Sequence, residues 1–273
     1  MNVATILVIA LLATQSVARA ETMPIDPPAS TADLDVRWLQ AKAPDLGVMP
    51  MAIARPAGRG PFPTAIVLHG SHGFAREYVE IGRTLAKQGV LAVVPCWFSG
   101  GGGAGARFVT PIPCTGPPAI SEAASPTAQR TLKALVAEVR ALPDVRGDAI
   151  ALFGHSRGAG AALNYAFDTG DIAAVVLDSA GYTEDQVGRV GQLRVPILIL
   201  HGTGDTSADG GSPFQTVEKA RGFEAALRAA GKPVEAVYYD NAGHNGIFTD
   251  PRQLEDSVRR AAAFVTRPPE TRR

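Results

Sequence analysis

Residues 150–162 read IALFGHSRGAGAA, an apolar run followed by a stretch of small residues. The apolar run is typical of a buried strand, and the small residues after Ser156 favour a helix. Gly154 and Gly158 flank Ser156 in the pattern G-x-S-x-G. Between a strand and a helix, this pattern predicts a tight turn that exposes the serine hydroxyl at the edge of a parallel sheet. We therefore interpret Ser156 as a nucleophile, against the alternative of an ordinary turn serine.

Strands and helices alternate along the rest of the chain. Continuous apolar runs predict strands at residues 64–68, 90–95, 149–153, 172–177, 196–200 and 234–239. Helical spacing predicts helices over 74–88, from 126 onward, from 157 to 167, over 214–230 and over 251–265. Strands that are apolar throughout are typical of a mostly parallel sheet covered by helices on both faces. We expect one such α/β domain over residues 33–268, starting with a hairpin of strands 36–43 and 48–55.

The composition limits the possible partners and cofactors. Of the 273 residues, 46% are hydrophobic and the formal net charge is zero. Because the basic residues are scattered, nothing indicates binding to nucleic acid or to an anionic membrane. The sequence has no H-E-x-x-H, C-x-x-C or phosphate-binding lysine motif, so we expect no metal and no cofactor. A metal site built from His69, His72 and His201 is the weakest alternative.

The N-terminus indicates export. Residues 6–13 are apolar, and Ala18-Arg19-Ala20 fits the small-x-small cleavage pattern. We predict a signal peptide over residues 1–20, a loose Pro-rich leader over 21–32, and a periplasmic or secreted location. A buried N-terminal helix is the alternative. The apolar run is too short to span a membrane, so no membrane span is expected after cleavage.

Export would place Cys96 and Cys114 in an oxidising compartment. They lie around the Gly/Pro-rich stretch 97–125, which lacks periodicity and is predicted to be a functional loop insertion. A disulfide is favoured over two unpaired buried thiols. The closed loop would fold back over the sheet edge where the Ser156 hydroxyl is exposed, and would shape the substrate entrance.

A serine nucleophile needs a base that removes its proton and an acid that orients the base. Behind G-x-S-x-G these groups follow in the order acid, then histidine, each just past the end of a later strand. Asp205 and His244 both follow predicted strands in this order. We therefore predict Ser156, Asp205 and His244 as the catalytic residues. Asp178, which follows an earlier strand, is the main alternative for the acid.

The anion that forms on a substrate needs backbone N–H donors. One donor is expected from Arg157, directly after the nucleophile. The second is expected from the small-residue loop HGSHG at 69–73, where we predict the N–H of Ser71. His69 and His201 each end a strand before a glycine, and they are predicted to support their loops rather than to act in catalysis.

Together, these motifs resemble those of α/β-hydrolases, and more closely those of the dienelactone-hydrolase-like group of secreted or periplasmic esterases. The resemblance rests on HGSHG at 69–73, GHSRG at 154–158, HGTGD at 201–205 and AGH at 242–244. It covers roughly residues 64–265 and implies the α/β-hydrolase fold.

The chain also departs from dienelactone hydrolases proper. Those enzymes use a cysteine nucleophile whose reactivity is suppressed by an acidic residue in the loop after the third strand. Here the corresponding positions are Ser156 and Gly70. The difference points to ordinary carboxylic esters as substrates. We expect a serine esterase that acts on a small-molecule ester through an acyl-enzyme. A non-catalytic hydrolase-fold binding protein and a small serine peptidase are the alternatives.

Overall fold

The structure of the protein, a computed structural model, describes residues 21–100, 107–206 and 212–267. The signal peptide predicted over residues 1–20 lies outside this range, as does the glycine-rich run 101–106 of the predicted loop. Within the described residues, none of the helices is both long and apolar enough to cross a membrane.

A single sheet runs through the described part of the chain. Its strands are β1 (Glu21–Pro24), β2 (Arg37–Ala43), β3 (Gly47–Ala54), β4 (Phe62–Leu68), β5 (Leu91–Pro95), β6 (Val145–His155), β7 (Ala174–Asp178), β8 (Ile197–Gly202) and β9 (Val234–Tyr239). Their order in space is β1-β2-β3-β5-β4-β6-β7-β8-β9. The strands from β4 to β9 are parallel, and β1, β2 and β3 extend one edge in antiparallel pairing. The mostly parallel sheet is therefore confirmed.

Helices cover both faces of the sheet. They are α1 (Arg76–Lys87), α2 (Pro126–Arg140), α3 (Arg157–Asp168), α4 (Glu184–Gly188), α5 (Val217–Ala229), α6 (Gly246–Thr249) and α7 (Pro251–Thr266), with short 3-10 turns at Ala29–Thr31 and Val190–Gln192. Buried residues of α2, α3 and α5 share one hydrophobic core, and buried residues of α1 and α7 belong to a second core. The sheet separates the two cores.

The strand before Ser156 shows why its sequence is apolar throughout. Ile150 and Leu152 belong to the first core, while Ala151 and Phe153 belong to the second. Successive side chains of a strand point to opposite faces, so a strand with a core on each side needs apolar residues at every position. The structure also extends this strand back to Val145, four residues before the predicted start.

The N-terminal hairpin is present, and the leader differs from its prediction. Strands β2 and β3 pair from Arg37↔Ile53 to Ala43↔Gly47. The residues predicted as a loose leader begin with β1, which pairs antiparallel with β2. All four β1 residues are exposed, so no apolar pattern signals this strand. Its backbone hydrogen bonds to a sheet edge do not require buried side chains.

The loop between β5 and α2 is anchored within its described residues. The N–H of Ser99 donates to the carbonyl of Pro118 at 3.0 Å, and the N–H of Ile112 donates to the carbonyl of Phe74 at 2.9 Å. The predicted disulfide between Cys96 and Cys114 is present, with the two Cα atoms 5.8 Å apart. The loop after β5 is therefore tied to the sheet at its base.

Candidate active site

Ser156 occupies a strained turn between β6 and α3. Its backbone has φ 53° and ψ −116°, a positive-φ conformation that is unfavourable for a residue with a side chain. A Cβ atom added at Gly154 would lie 2.3 Å from the nitrogen of Ala159, and one at Gly158 would lie 2.2 Å from the carbonyl oxygen of Leu68. Both flanking glycines are therefore required by the close approach of backbones, as the sequence pattern predicts.

Ser156, His244 and Asp205 form a hydrogen-bonded chain. The Ser156 Oγ lies 3.0 Å from His244 Nε2, and His244 Nδ1 lies 2.9 Å from Asp205 Oδ2. Asp205 follows β8 and His244 follows β9, so parallel strands bring both to the sheet edge where β6 ends. All three residues are buried. The carboxylate requires a proton on Nδ1 of His244, so Nε2 is the nitrogen that accepts the serine proton.

The carboxylate of Asp205 is held by a second histidine. His201 Nε2 lies 3.2 Å from Asp205 Oδ2, on the same oxygen that faces His244. Burial alone would raise the pKa of Asp205, but the hydrogen bonds from His201 and His244 outweigh it and lower the pKa below the ordinary value. The acid is therefore ionised near neutral pH and can stabilise a protonated His244. The support predicted for His201 thus extends to this carboxylate.

Asp178, the alternative acid, is engaged elsewhere. Its Oδ2 lies 2.6 Å from Nδ1 of His155, and both side chains are buried. Burial raises the pKa of Asp178 to about 7 and lowers that of His155 well below its usual value. The backbone carbonyl of Asp178 also accepts from the N–H of Ser156 at 2.9 Å. Asp178 therefore stabilises the turn at Ser156, and Asp205 is the carboxylate that contacts His244.

Ser71 and Arg157, whose N–H groups are the predicted oxyanion donors, line the same cavity as Ser156. Arg157 begins α3, so its backbone N–H has no acceptor within the helix. Ser71 lies in the loop after β4, where the hydroxyl of Tyr78 accepts from the N–H of Gly70 at 2.8 Å. The same hydroxyl lies 2.8 Å from His72 Nε2. Burial lowers the pKa of His72 to about 3, so its imidazole is neutral and can accept the proton of Tyr78.

A cavity of about 750 Å³ opens above the serine. Phe108 and Phe214 supply apolar surface on its walls, alongside several serine, asparagine and glutamine side chains. The side chain of Arg157 also lines the cavity, where it donates to the carbonyl of Ile120 at 3.1 Å. The cavity size suits a small organic molecule.

Three features of the site were missed by the sequence analysis: the tie of Tyr78 to Gly70, the pairing of His155 with Asp178, and the contact of Gln215 with Ser156. Gln215 Nε2 donates to Ser156 Oγ at 3.1 Å. Gln215 stands before α5 in a segment predicted to be helical, and no motif marks it. Its contact with Ser156 joins residues 59 positions apart in the sequence, so no local pattern could have revealed it.

A metal site was the weakest alternative in the sequence. Across residues 21–100, 107–206 and 212–267, the structure contains no group of three or more His, Cys, Asp or Glu side chains that could hold a metal ion. His69 instead places Nδ1 3.2 Å from the carbonyl oxygen of Gly70, and His201 is engaged with Asp205.

The fold, with a cavity at the carboxyl edge of a mostly parallel sheet, is the α/β-hydrolase fold. The chain belongs to the dienelactone hydrolase family, which it matches over residues 49–266, and it is therefore a hydrolase. A relative from Methylorubrum extorquens named "Putative carboxymethylenebutenolidase" is 28% identical in an alignment of 206 positions that covers 72% of this chain and 68% of that protein.

Solved structures share the fold. An esterase from Pyrococcus furiosus matches with a TM-score of 0.65 at 17% identity, over 90% of this chain and 98% of that one. A "Putative Dienelactone Hydrolase" from Klebsiella pneumoniae matches with a TM-score of 0.64 at 21% identity, over 81% and 94% of the two chains. At such identities, the likeness concerns the fold alone.

Proposed function

We propose that the protein is a serine esterase that hydrolyses carboxylic esters through an acyl-enzyme. One observation carries the proposal: Ser156, His244 and Asp205 form a continuous hydrogen-bonded chain, of which Ser156 and His244 line the cavity. The order of these groups along the chain and their distances are those that a nucleophile, a base and an orienting acid require.

The reaction follows from the donors and acceptors at the site. Ser156 Oγ attacks the ester carbonyl carbon while its proton passes to His244 Nε2, and the negative charge collects on the carbonyl oxygen. The backbone N–H groups of Ser71 and Arg157 are the proposed donors to that oxygen, and each such donor is typically worth about 3 kcal/mol of barrier. Asp205 stabilises the protonated imidazole. Collapse releases the alcohol with the proton from His244, and water then hydrolyses the acyl-enzyme by the same route.

The surroundings of Gly70 support ordinary esters as substrates. A Cβ atom at this position would lie 3.2 Å from Ser156 Cβ and 3.0 Å from Cδ2 of His155. An acidic side chain here would have to displace these neighbours. The serine hydroxyl can therefore hydrogen-bond to His244 with no acidic side chain at position 70 beside it, as the serine of an esterase does.

Labelling with a fluorophosphonate and hydrolysis of a p-nitrophenyl ester series test the proposal. We expect covalent labelling at Ser156 and turnover in the wild type, and neither in Ser156→Ala, where kcat should fall by several orders of magnitude, about 10⁶ in measured triads. Amide and thioester analogues run alongside separate an esterase from a peptidase. Wild-type turnover retained in Ser156→Ala, or no labelling of the wild type, would refute the assignment.

We further propose that the protein is exported, with cleavage after Ala20. The disulfide between Cys96 and Cys114 supports this, because disulfides persist in oxidising compartments. Fractionation of the native host followed by mass spectrometry of the N-terminus is the test. An intact Met1 on protein from the cytoplasm would contradict export.

A further inference from the structure

The side chain of Gln215 is fixed in one orientation by its backbone neighbours. Its Oε1 accepts from the N–H of Ser212 at 2.7 Å, and a backbone N–H can only donate. Its Nε2 lies 3.4 Å from the carbonyl oxygen of Ser179, which can only accept. The amide nitrogen must therefore be the atom 3.1 Å from Ser156 Oγ.

This orientation gives the whole chain of hydrogen bonds a direction. Gln215 donates to Ser156 Oγ, so the serine hydroxyl has its own proton to donate to His244 Nε2. The backbone carbonyl of Gln215 lies 2.9 Å from Nε2 of His201, which also faces Asp205. Because both neighbours are acceptors, that nitrogen carries a proton. Gln215 thus connects the nucleophile to the acid through two separate contacts.

We infer that Gln215 is a further catalytic residue, whose amide N–H stabilises Ser156 Oγ when that oxygen leaves the acyl-enzyme. The inference rests on the proposed function. In deacylation, water attacks the acyl carbon and gives a proton to His244. The C–Oγ bond then breaks, its electron pair stays on Oγ, and the proton passes from His244 to Oγ. A donor 3.1 Å away stabilises the charge that builds on Oγ in this step.

Acylation uses the same hydrogen bond differently. There Oγ gives its proton to His244 as it bonds to the carbonyl carbon, and the starting serine hydroxyl already accepts the hydrogen bond from Gln215. Because the donor stabilises both the starting hydroxyl and the transition state, its net effect on acylation is small. In the acyl-enzyme, Oγ is an ester oxygen and a weaker acceptor, so the same donor favours the deacylation transition state over its starting state. Gln215 should therefore accelerate deacylation selectively. A residue that only supported the loop would change both steps together.

Gln215→Leu removes the donor and allows the two steps to be measured separately. On a p-nitrophenyl ester, we expect the deacylation rate to fall about tenfold, the value of one ordinary hydrogen bond, with acylation changed much less. In stopped-flow traces, the burst of p-nitrophenol should grow, and kcat and KM should fall together. A loss of kcat/KM with unchanged KM and no larger burst would overturn the inference.

Gln215→Glu provides a second measurement, which remains informative even if Gln215→Leu changes the packing of the loop. The variant keeps an oxygen for the N–H of Ser212 and places the second oxygen against two acceptors, Ser156 Oγ and the Ser179 carbonyl. Protonation of this carboxyl restores a donor, so the ratio of variant to wild-type deacylation rates should rise as the pH is lowered. A ratio that does not change with pH would overturn the inference.

The exposed Gln192 provides a matched control, since Gln192→Leu should behave as the wild type. Failure of the inference is distinguishable from failure of the proposed function. If wild-type protein forms no acyl-enzyme at Ser156, the proposed function itself is wrong. If it does, and Gln215→Leu slows acylation and deacylation equally, only the role of Gln215 is wrong.

Discussion

Removing the disulfide between Cys96 and Cys114 tests how the loop over the site is held. The two cysteines are 18 residues apart, and a closed loop of that length contributes about 3 kcal/mol in the chain-entropy model. For a chain of this length, each kcal/mol corresponds to about 2–4 °C in melting temperature. The expected loss is therefore about 6–12 °C. Replacing both cysteines with alanine adds a packing cost, because Cys96 is fully buried.

Three samples separate the effect of the covalent bond from that of packing. Wild-type protein is melted with and without a phosphine reductant, followed by circular dichroism, beside the double alanine variant. Both the reduced wild type and the variant should melt well below the oxidised protein, with the variant equal to or below the reduced wild type. Reduced protein that melts within about 1 °C of oxidised protein would refute the loop-entropy argument.

The same samples test the effect of the loop on the substrate entrance. Phe108 lies within the loop and lines the cavity, while Phe98 packs with its ring 5.2 Å from the Arg157 guanidinium. Loosening the base of the loop should therefore change the preference for ester chain length more than the rate on an acetyl ester. Equal effects on all chain lengths would show that the loop does not shape the entrance.

Three further predictions concern the acid of the proposed triad and the turn at Ser156. Asp205→Asn should lower kcat by about 10⁴, since an amide cannot stabilise the protonated His244. Asp178→Asn should lower kcat far less. If kinetics on one ester gave the reverse order, the acid would be Asp178. Because the pKa of Asp205 is depressed in the fold, its contribution to stability is present above the unfolded value of 3.8 and is lost as the pH falls through the folded value. As the pH is lowered through this range, the free energy of unfolding should therefore fall less steeply for Asp205→Asn than for the wild type. Equal slopes would contradict the lowered pKa of Asp205. Gly158→Ala should abolish or severely reduce soluble folded protein, because its Cβ would meet the Leu68 carbonyl oxygen at 2.2 Å; a normal melting curve would contradict the close approach.

Local sequence was enough to predict the architecture and the three residues of the proposed triad. The continuous apolar runs specify strands with a core on each face, and this pattern depends only on each residue and its near neighbours. Gly154 and Gly158 mark the turn because only glycine allows the observed approach of backbones. Once the sheet is parallel, the strand ends before Asp205 and His244 must share one edge with Ser156.

The remaining features depend on contacts between distant parts of the chain. The sequence favoured Asp205 over Asp178 as the acid but left Asp178 as an alternative, since both follow strands. In the structure, the carboxylate of Asp205 lies against His244 and that of Asp178 lies against His155. Strand β1 went unpredicted because its exposed residues pair through the backbone alone. Gln215 touches Ser156 across 59 residues of sequence, and such a contact leaves no periodicity or motif. Only the folded chain brings its amide to the serine, because tertiary hydrogen bonds carry no local signature.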